Sequence, residues 1–186
     1  MAFFIGSIPT GLIIAKANGV DLKKKGSGNI GATNVLRSVG KWQAFITLTG
    51  DFLKGVIAVL IGRHFFEGHL YYEGIVGLFS ILGHNYSIFL KFRGGKGVAT
   101  ALGVFLGIAP LAVCGALLVF GSVVWRSRYI SLGSITAAAA MPAFVALFNP
   151  QPALLLMTVA VAALVIWKHR ENIQRLRAGT ENRFKA

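Results

Sequence analysis

Apolar runs recur along this chain at intervals too short for a soluble core, and that spacing constrains the fold more than any other feature. Six stand out, at residues 1–15, 44–62, 70–82, 98–125, 129–148 and 152–167. A helix crossing a hydrocarbon core needs about 20 largely apolar residues, and a helix broken by Gly or Pro and buried among neighbours can be shorter. The runs leave no room within 186 residues for a separate soluble domain. They predict one all-helical, integral membrane domain spanning 1–186. Composition agrees, since 13% of the residues are charged against about 25% in soluble domains. The opening run, MAFFIGSIPTGLIIAK, carries no basic leader and reads as a retained span rather than a cleaved signal peptide. The lone cysteine, Cys114, excludes an internal disulfide and any cysteine-cluster metal site. Within its apolar run it reads as a small core residue.

Lysine and arginine number 19 against 6 acidic residues, a net charge of +13. Such an excess suits nucleic acid, an anionic membrane surface or an anionic substrate, and position must decide. The cations lie between the apolar runs, in clusters at 16–41, 91–96, 126–128 and 168–185 that hold 17 of the 19; Lys54 and Arg63 are left over. Short loops rich in Lys and Arg stay on the cytoplasmic side. The fourth run, as one helix, would extend about 42 Å at about 1.5 Å per residue, beyond a hydrocarbon core of about 30 Å. Splitting it at Pro110 places all four clusters on one side. The expectation is therefore about seven transmembrane helices, with the N-terminus outside, the C-terminus cytoplasmic, and outer loops near 63–73, Pro110 and 149–152. Asp51 and Lys54 stand three residues apart on one helix face and are expected to pair inside the bundle.

Three stretches, 26–41, 83–103 and 168–185, combine cations with glycine or small polar residues. In GSGNIGATNVLRSVGK, Gly26, Gly28 and Gly31 permit tight turns, Ser27, Asn29, Thr33 and Asn34 add neutral donors, and Arg37 adds a planar fork. The combination predicts a phosphate cradle; a flexible loop with anchoring charges is the plainer reading. In GHNYSIFLKFRGGKGVATALG, Gly94, Gly95 and Gly97 surround Lys96 just before an apolar run, so backbone N–H groups, a helix N-terminus and an ammonium can converge on one anion. This is not a Walker A loop, because Gly97 follows the lysine where Ser or Thr is required. Gly-x-x-Gly followed by Thr occurs both at 28–33 and at 94–100, and two similar loops would suit two phosphates. In KHRENIQRLRAGTENRFK, a helix stopped by Gly179 would place His169, Asn172, Ile173 and Leu176 on one face. A tail lying on anionic lipid is the alternative. His64 and His69 read as surface residues of an outer loop. His84, at a span end, reads as a hydrogen-bonded structural group or, less simply, as a general base.

Taken together, SGNIGATNVLR, GHNYSIFLKFRGGKGVAT and HRENIQRLRAGTENR resemble, in order, the three cytoplasmic motifs of the bacterial membrane acyl-phosphate:glycerol-3-phosphate acyltransferases, the PlsY family. Ser87 stands where a proline is common, and Arg93 where lysine is usual. The first span is shorter than the family's, as if a few N-terminal residues were missing. The resemblance implies transfer of a fatty acyl group from acyl phosphate to the 1-hydroxyl of glycerol 3-phosphate, giving 1-acyl-glycerol 3-phosphate and phosphate, the first acylation step of phospholipid synthesis. It assigns Ser27, Arg37, Lys96, His169 and Asn172 to glycerol 3-phosphate, with Lys96, Ser27, His169 and Asn172 nearest the chemistry. Gly94, Gly95 and Gly97 with Thr33 and Asn34 fall to the donor phosphate, and Asn29 and His84 join the substrate-binding residues. It implies a monomer in the bacterial cytoplasmic (inner) membrane, surrounded by lipid, with its active site facing the cytoplasm. No cofactor, metal or nucleic-acid partner is expected. A transporter for a phosphorylated metabolite is the competing class, but it would need polar groups near the midplane, where Asp51 and Lys54 are a thin supply.

Overall fold

The computed structural model describes residues 1–184; Lys185, counted in the last basic stretch, lies outside the described residues. Those residues are helical with no strand, as expected, and they divide into two compact units, Met1–Gly107 and a second beginning at Ile108.

The first unit contains α1 (Ala2–Ser7), α2 (Thr10–Ala17), α3 (Ala32–Ser38), α4 (Lys41–Phe65), α5 (Leu70–Asn85), a 3-10 turn (Ile88–Leu90) and nearly all of α6 (Val98–Ile108). The opening apolar run is two helices rather than one. Pro9 has no N–H to donate and disfavours helical geometry at the residue before it, and Ile8 leaves the helix with φ −56° and ψ 118°. The carbonyl of Ile8, released from the helix ladder, accepts a hydrogen bond from the Lys54 ammonium. That ammonium also lies 2.6 Å from Asp51 Oδ1. The pair forms inside the bundle as expected, with both side chains buried.

At its far end α4 runs three residues beyond the expected boundary at Gly62. Arg63 carries a charge that suggested a loop, but its Nε and Nη2 donate to Glu73 Oε1 and Oε2 at 3.1 and 2.9 Å, and Nη2 donates also to the Gly107 carbonyl at 3.0 Å. A bidentate partner of this kind neutralises the charge within the helix.

The second unit is built from α7 (Pro110–Ser127), α8 (Ile130–Phe148), α9 (Pro152–Lys168) and a shorter α10 (Arg170–Arg177). The long apolar run does break where expected: Ala109 leaves the helix at φ −148° and Pro110 opens α7, where its missing N–H removes no helix bond. By length and apolarity, α4, α7 and α8 can each cross a membrane, and α9 with α10 passes only as a pair bent by 56°. That makes three such helices, or four with the bent pair, while 2–17 and α6 are shorter apolar segments. Cys114 corrects the core reading, because it is exposed on α7. A helix that is apolar all round carries no sequence signal separating its packed face from its lipid-type face, and Leu118 at 73% exposure belongs to the same outer surface.

Candidate active site

The first glycine stretch is folded by its own side chains. Leu22, Ile30 and Val35 are buried with Ala15, Ala44 and Leu90, which pins both ends of the irregular segment between α2 and α3. Asn34, 2% exposed, then organises what lies between. Its Nδ2 donates to the carbonyls of Asn29 (2.8 Å), Lys25 (3.1 Å) and Leu22 (3.4 Å), while its Oδ1 accepts from the Ser27 N–H (3.0 Å) and the Ser38 hydroxyl (3.4 Å). Gly26 is required here, since its φ is +61° and a Cβ would fall 2.1 Å from Asn34 Oδ1. Asn29 Oδ1 accepts from the Gly31 N–H at 2.9 Å, closing a turn just before α3. The amides of Asn29 and Asn34 thus shape the loop from within. Ser27 and Thr33 are half-buried on it, and Arg37 projects from the last turn of α3 into an exposed position. Residues 32–38 form a helix that the glycine-rich reading as an open cradle overlooked; apolar Val35, Leu36 and Val39 on its packed side were the available signal.

The second stretch is seated against the end of α5. The chain leaves the 3-10 turn through Lys91 and Phe92, both left-handed at φ 53° and 61°, and reaches α6 by way of residues 94–97. The Gly94 N–H donates to the Asn85 carbonyl at 3.2 Å and the Gly95 N–H to the His84 carbonyl at 3.0 Å. These two amides therefore face α5, and their part in the loop is to seat it. Lys96, half-buried, and the first turn of α6 come next in the chain. His84 lies behind the loop, 5% exposed, with Nδ1 3.6 Å from Asp51 Oδ1. Ser87, in the position where the family commonly has proline, holds φ −57°, a value proline would also adopt. Its hydroxyl adds a bond of 2.5 Å to the Ser7 carbonyl at the break between α1 and α2.

The third stretch lies wholly in the second unit. His169 forms the corner between α9 and α10, is buried, and has Nδ1 2.8 Å from the Val165 carbonyl. Asn172 is buried, with Ile173 and Leu176 partly covered, while Arg170, Glu171, Gln174 and Arg177 are exposed, so α10 has the amphipathic face expected of it. Gly179 follows at φ +69° and turns the chain back. The return brings in a residue that motif reading left without a role. Glu181, 8% exposed, accepts from Asn172 Nδ2 at 2.8 Å, Arg175 Nε at 2.7 Å and the Ser131 hydroxyl at 2.9 Å. Burial by itself would raise this carboxyl, but hydrogen bonds from Arg175, Asn172 and Ser131 outweigh it and hold the group below the usual carboxylate range. An acid in a segment dominated by arginine and lysine was the sequence signal. No group of three or more His, Cys, Asp or Glu gathers as a metal cluster among the described residues.

Comparison with known proteins converges on one family. A family model described as glycerol-3-phosphate acyltransferase matches residues 1–179. A glycerol-3-phosphate acyltransferase of Geobacter metallireducens is 63% identical over 185 residues, covering 100% of this chain and 95% of its own. One from Geobacter sulfurreducens is 59% identical over 186 residues, with the same two shares. Among solved structures, the glycerol 3-phosphate form of PlsY, an integral membrane glycerol 3-phosphate acyltransferase, matches with a TM-score of 0.94 at 44% identity, covering 99% of this chain and 92% of that one. The lysophosphatidic acid form matches at 0.91 and 43% with the same coverage. With the three motif stretches in order and no element but helices among the described residues, this chain belongs to the glycerol-3-phosphate acyltransferase family of integral membrane proteins, the PlsY type.

Proposed function

We propose that the protein transfers a fatty acyl group from acyl phosphate to the 1-hydroxyl of glycerol 3-phosphate, releasing 1-acyl-glycerol 3-phosphate (lysophosphatidic acid) and inorganic phosphate. The observation that carries this reading is a pair of glycine loops in one compact unit, each leading into a helix and each accompanied by a cation, Arg37 for the first and Lys96 for the second. Both substrates are phosphates, and two loops suit two phosphate groups. The solved PlsY forms carry glycerol 3-phosphate and lysophosphatidic acid, which supports the acceptor and the product.

Ser27, Arg37 and Lys96 hold glycerol 3-phosphate, and His169 and Asn172 keep the acceptor roles that the family resemblance assigns. The 94–97 loop with Thr33 meets the donor phosphate through Lys96 and the first turn of α6. Asn34, its amide engaged with loop backbone, contributes the shape of the first loop. In the reaction the 1-hydroxyl oxygen bonds to the carbonyl carbon, and the bond from that carbon to the phosphate oxygen breaks. The hydroxyl proton passes to the departing phosphate, whose oxygens lie close to the carbon under attack. No protein residue is then an obligatory base. The Lys96 ammonium offsets the charge gathering on the leaving group.

Purified protein in detergent, given acyl phosphate and glycerol 3-phosphate, should release phosphate and form the acylated product only when both are present. Phosphate release indifferent to glycerol 3-phosphate, or equal transfer from a thioester donor, would overturn the reading. We place the enzyme as a monomer in the bacterial inner membrane, with the stretches 26–41, 83–103 and 168–185 in the cytoplasm. In a Cys114→Ala background, cysteines introduced at Ser38 and Thr180 should share one labelling state toward an impermeant thiol reagent in intact cells. Labelling of only one refutes the seven-span, one-sided topology.

A further inference from the structure

We propose that Asp51 is a positioning residue for the 94–97 loop: its carboxylate orients the His84 imidazole, and that ring is the surface on which Gly95 is seated. The inference rests on the proposed function, in which this loop meets the donor phosphate.

The geometry runs in one direction from the interior of the first unit to the loop. Lys54 binds the opened Ile8 carbonyl and lies 2.6 Å from Asp51 Oδ1, so the carboxylate is fixed from one side. The same Oδ1 lies 3.6 Å from His84 Nδ1 on the other. Across the ring, a Cβ built on Gly95 would fall 2.1 Å from His84 Nε2, so the imidazole lies directly against the loop backbone. The Gly95 N–H meanwhile donates to the His84 carbonyl at 3.0 Å. Backbone and side chain of one residue therefore both bear on Gly95, immediately before Lys96. The main chain sets how close the loop comes, and the ring sets which way it can tilt.

A buried lysine–aspartate pair needs no third partner to offset its charges, and the break in the first run is satisfied by Lys54, Thr10 and Ser87 without the histidine. The histidine at the carboxylate calls for a separate account. An imidazole between a carboxylate and a second group has its orientation set by the carboxylate, as in the outer shells of many metal and catalytic sites. Asp51, Lys54 and His84 are 3%, 5% and 5% exposed, so neither partner can be replaced by water without rearranging the interior. A displacement of about 1 Å at a substrate-holding group is enough to weaken an enzyme roughly a hundredfold.

The test is steady-state kinetics with palmitoyl phosphate and glycerol 3-phosphate on Asp51→Asn, His84→Ala, the double variant and Gly95→Ala, with melting temperature in detergent as the check on folding. Asp51→Asn and His84→Ala should each raise the KM for palmitoyl phosphate about tenfold, leaving kcat and the KM for glycerol 3-phosphate within about twofold. The double variant should be no worse than His84→Ala alone, because Asp51 acts through the ring. His84→Gln, whose amide reaches the region of Nε2, should recover part of the donor affinity. If Asp51→Asn leaves Lys54 too poorly matched to fold, Asp51→Asn with Lys54→Gln takes its place with the same expectation. Gly95→Ala separates the two levels of the argument. Should it leave the donor KM unchanged, the loop does not hold the donor and the functional reading fails. Should it raise that KM while Asp51→Asn and His84→Ala do not, or should the single effects multiply in the double variant, the positioning role is wrong. A uniform loss of kcat in the two single variants would also overturn it.

Discussion

The two glycine loops of the first unit reach comparable forms by different means. The 26–31 loop is organised by Asn34 from the helix that follows it, through bonds that reach no more than 12 residues along the chain. The 94–97 loop is organised from elsewhere, by the end of α5 and, behind it, by Asp51 and His84, with Ser87 bonding Ser7 across 80 residues. One loop carries its scaffold in its own motif, and the other borrows it from the packed interior. Damage to the first should therefore stay local, whereas the second should respond to substitutions in helices whose sequence bears no resemblance to an anion site.

The largest effect should come from the cations themselves. Lys96→Ala is expected to lower kcat/KM by about 10²- to 10³-fold, and Arg37→Ala by a comparable factor, with melting temperatures unchanged. Lys16→Ala, outside both loops, should stay near the parent enzyme; equal and mild losses for all three would reduce the loops to anchoring charge. Next, Asn34→Ala removes a donor from the carbonyls of Leu22, Lys25 and Asn29, of which Lys25 keeps the Gly28 N–H, at a loss of roughly 1–3 kcal/mol. Hydrogen exchange should speed up over residues 22–31 and remain unchanged over 94–97; faster exchange in both would abolish the contrast between them. Then come the histidines. His84→Ala should keep substantial turnover, and His169→Gln should raise the KM for glycerol 3-phosphate several-fold with turnover retained. Near-complete loss of turnover at saturating acceptor in either, with folding intact, would restore that histidine as the base.

The smallest effect concerns pH. Glu181 is held below its ordinary value, so its contribution is complete above the usual carboxyl range of about 4.3 and is lost as pH falls through its lowered value in the fold. Amide protection in α10 should therefore decline in acid below that range. Glu181→Gln should be less protected at neutral pH and should show little of this acid step. An unchanged acid profile would mean that Glu181 does not fasten Asn172.

What the sequence disclosed follows the same division. Residues 26–31 and 94–97 were legible as turning, glycine-rich segments because glycine, small polar side chains and cations stand next to each other in the chain. The Asp51–Lys54 pair was legible because two charges three residues apart in an apolar helix must meet something. His84 was not placed behind the loop, since nothing in a linear reading links Asp51 to a histidine in another helix. Glu181 was missed for a related reason: its partners Asn172 and Ser131 come together only after Gly179 reverses the chain. Cys114 was misread because every side of α7 is apolar. The boundary of α4 moved past Gly62 because Arg63 finds Glu73, a contact that reaches over the connection between the two helices.

The break at Ile8 and Pro9 bears on how the chain is made. A six-residue helix followed by an eight-residue one gives pieces of about 9 and 12 Å at about 1.5 Å per residue, each far too short to cross a bilayer alone. The Ile8 carbonyl has a local donor in the Thr10 N–H at 3.0 Å and gains its second from Lys54, while the Ser7 carbonyl waits for Ser87. The turn between α1 and α2 therefore reaches its final bonding only after Ser87 has been made. A chain truncated before Ser87 would leave the Ser7 carbonyl at this turn without the hydroxyl that closes it.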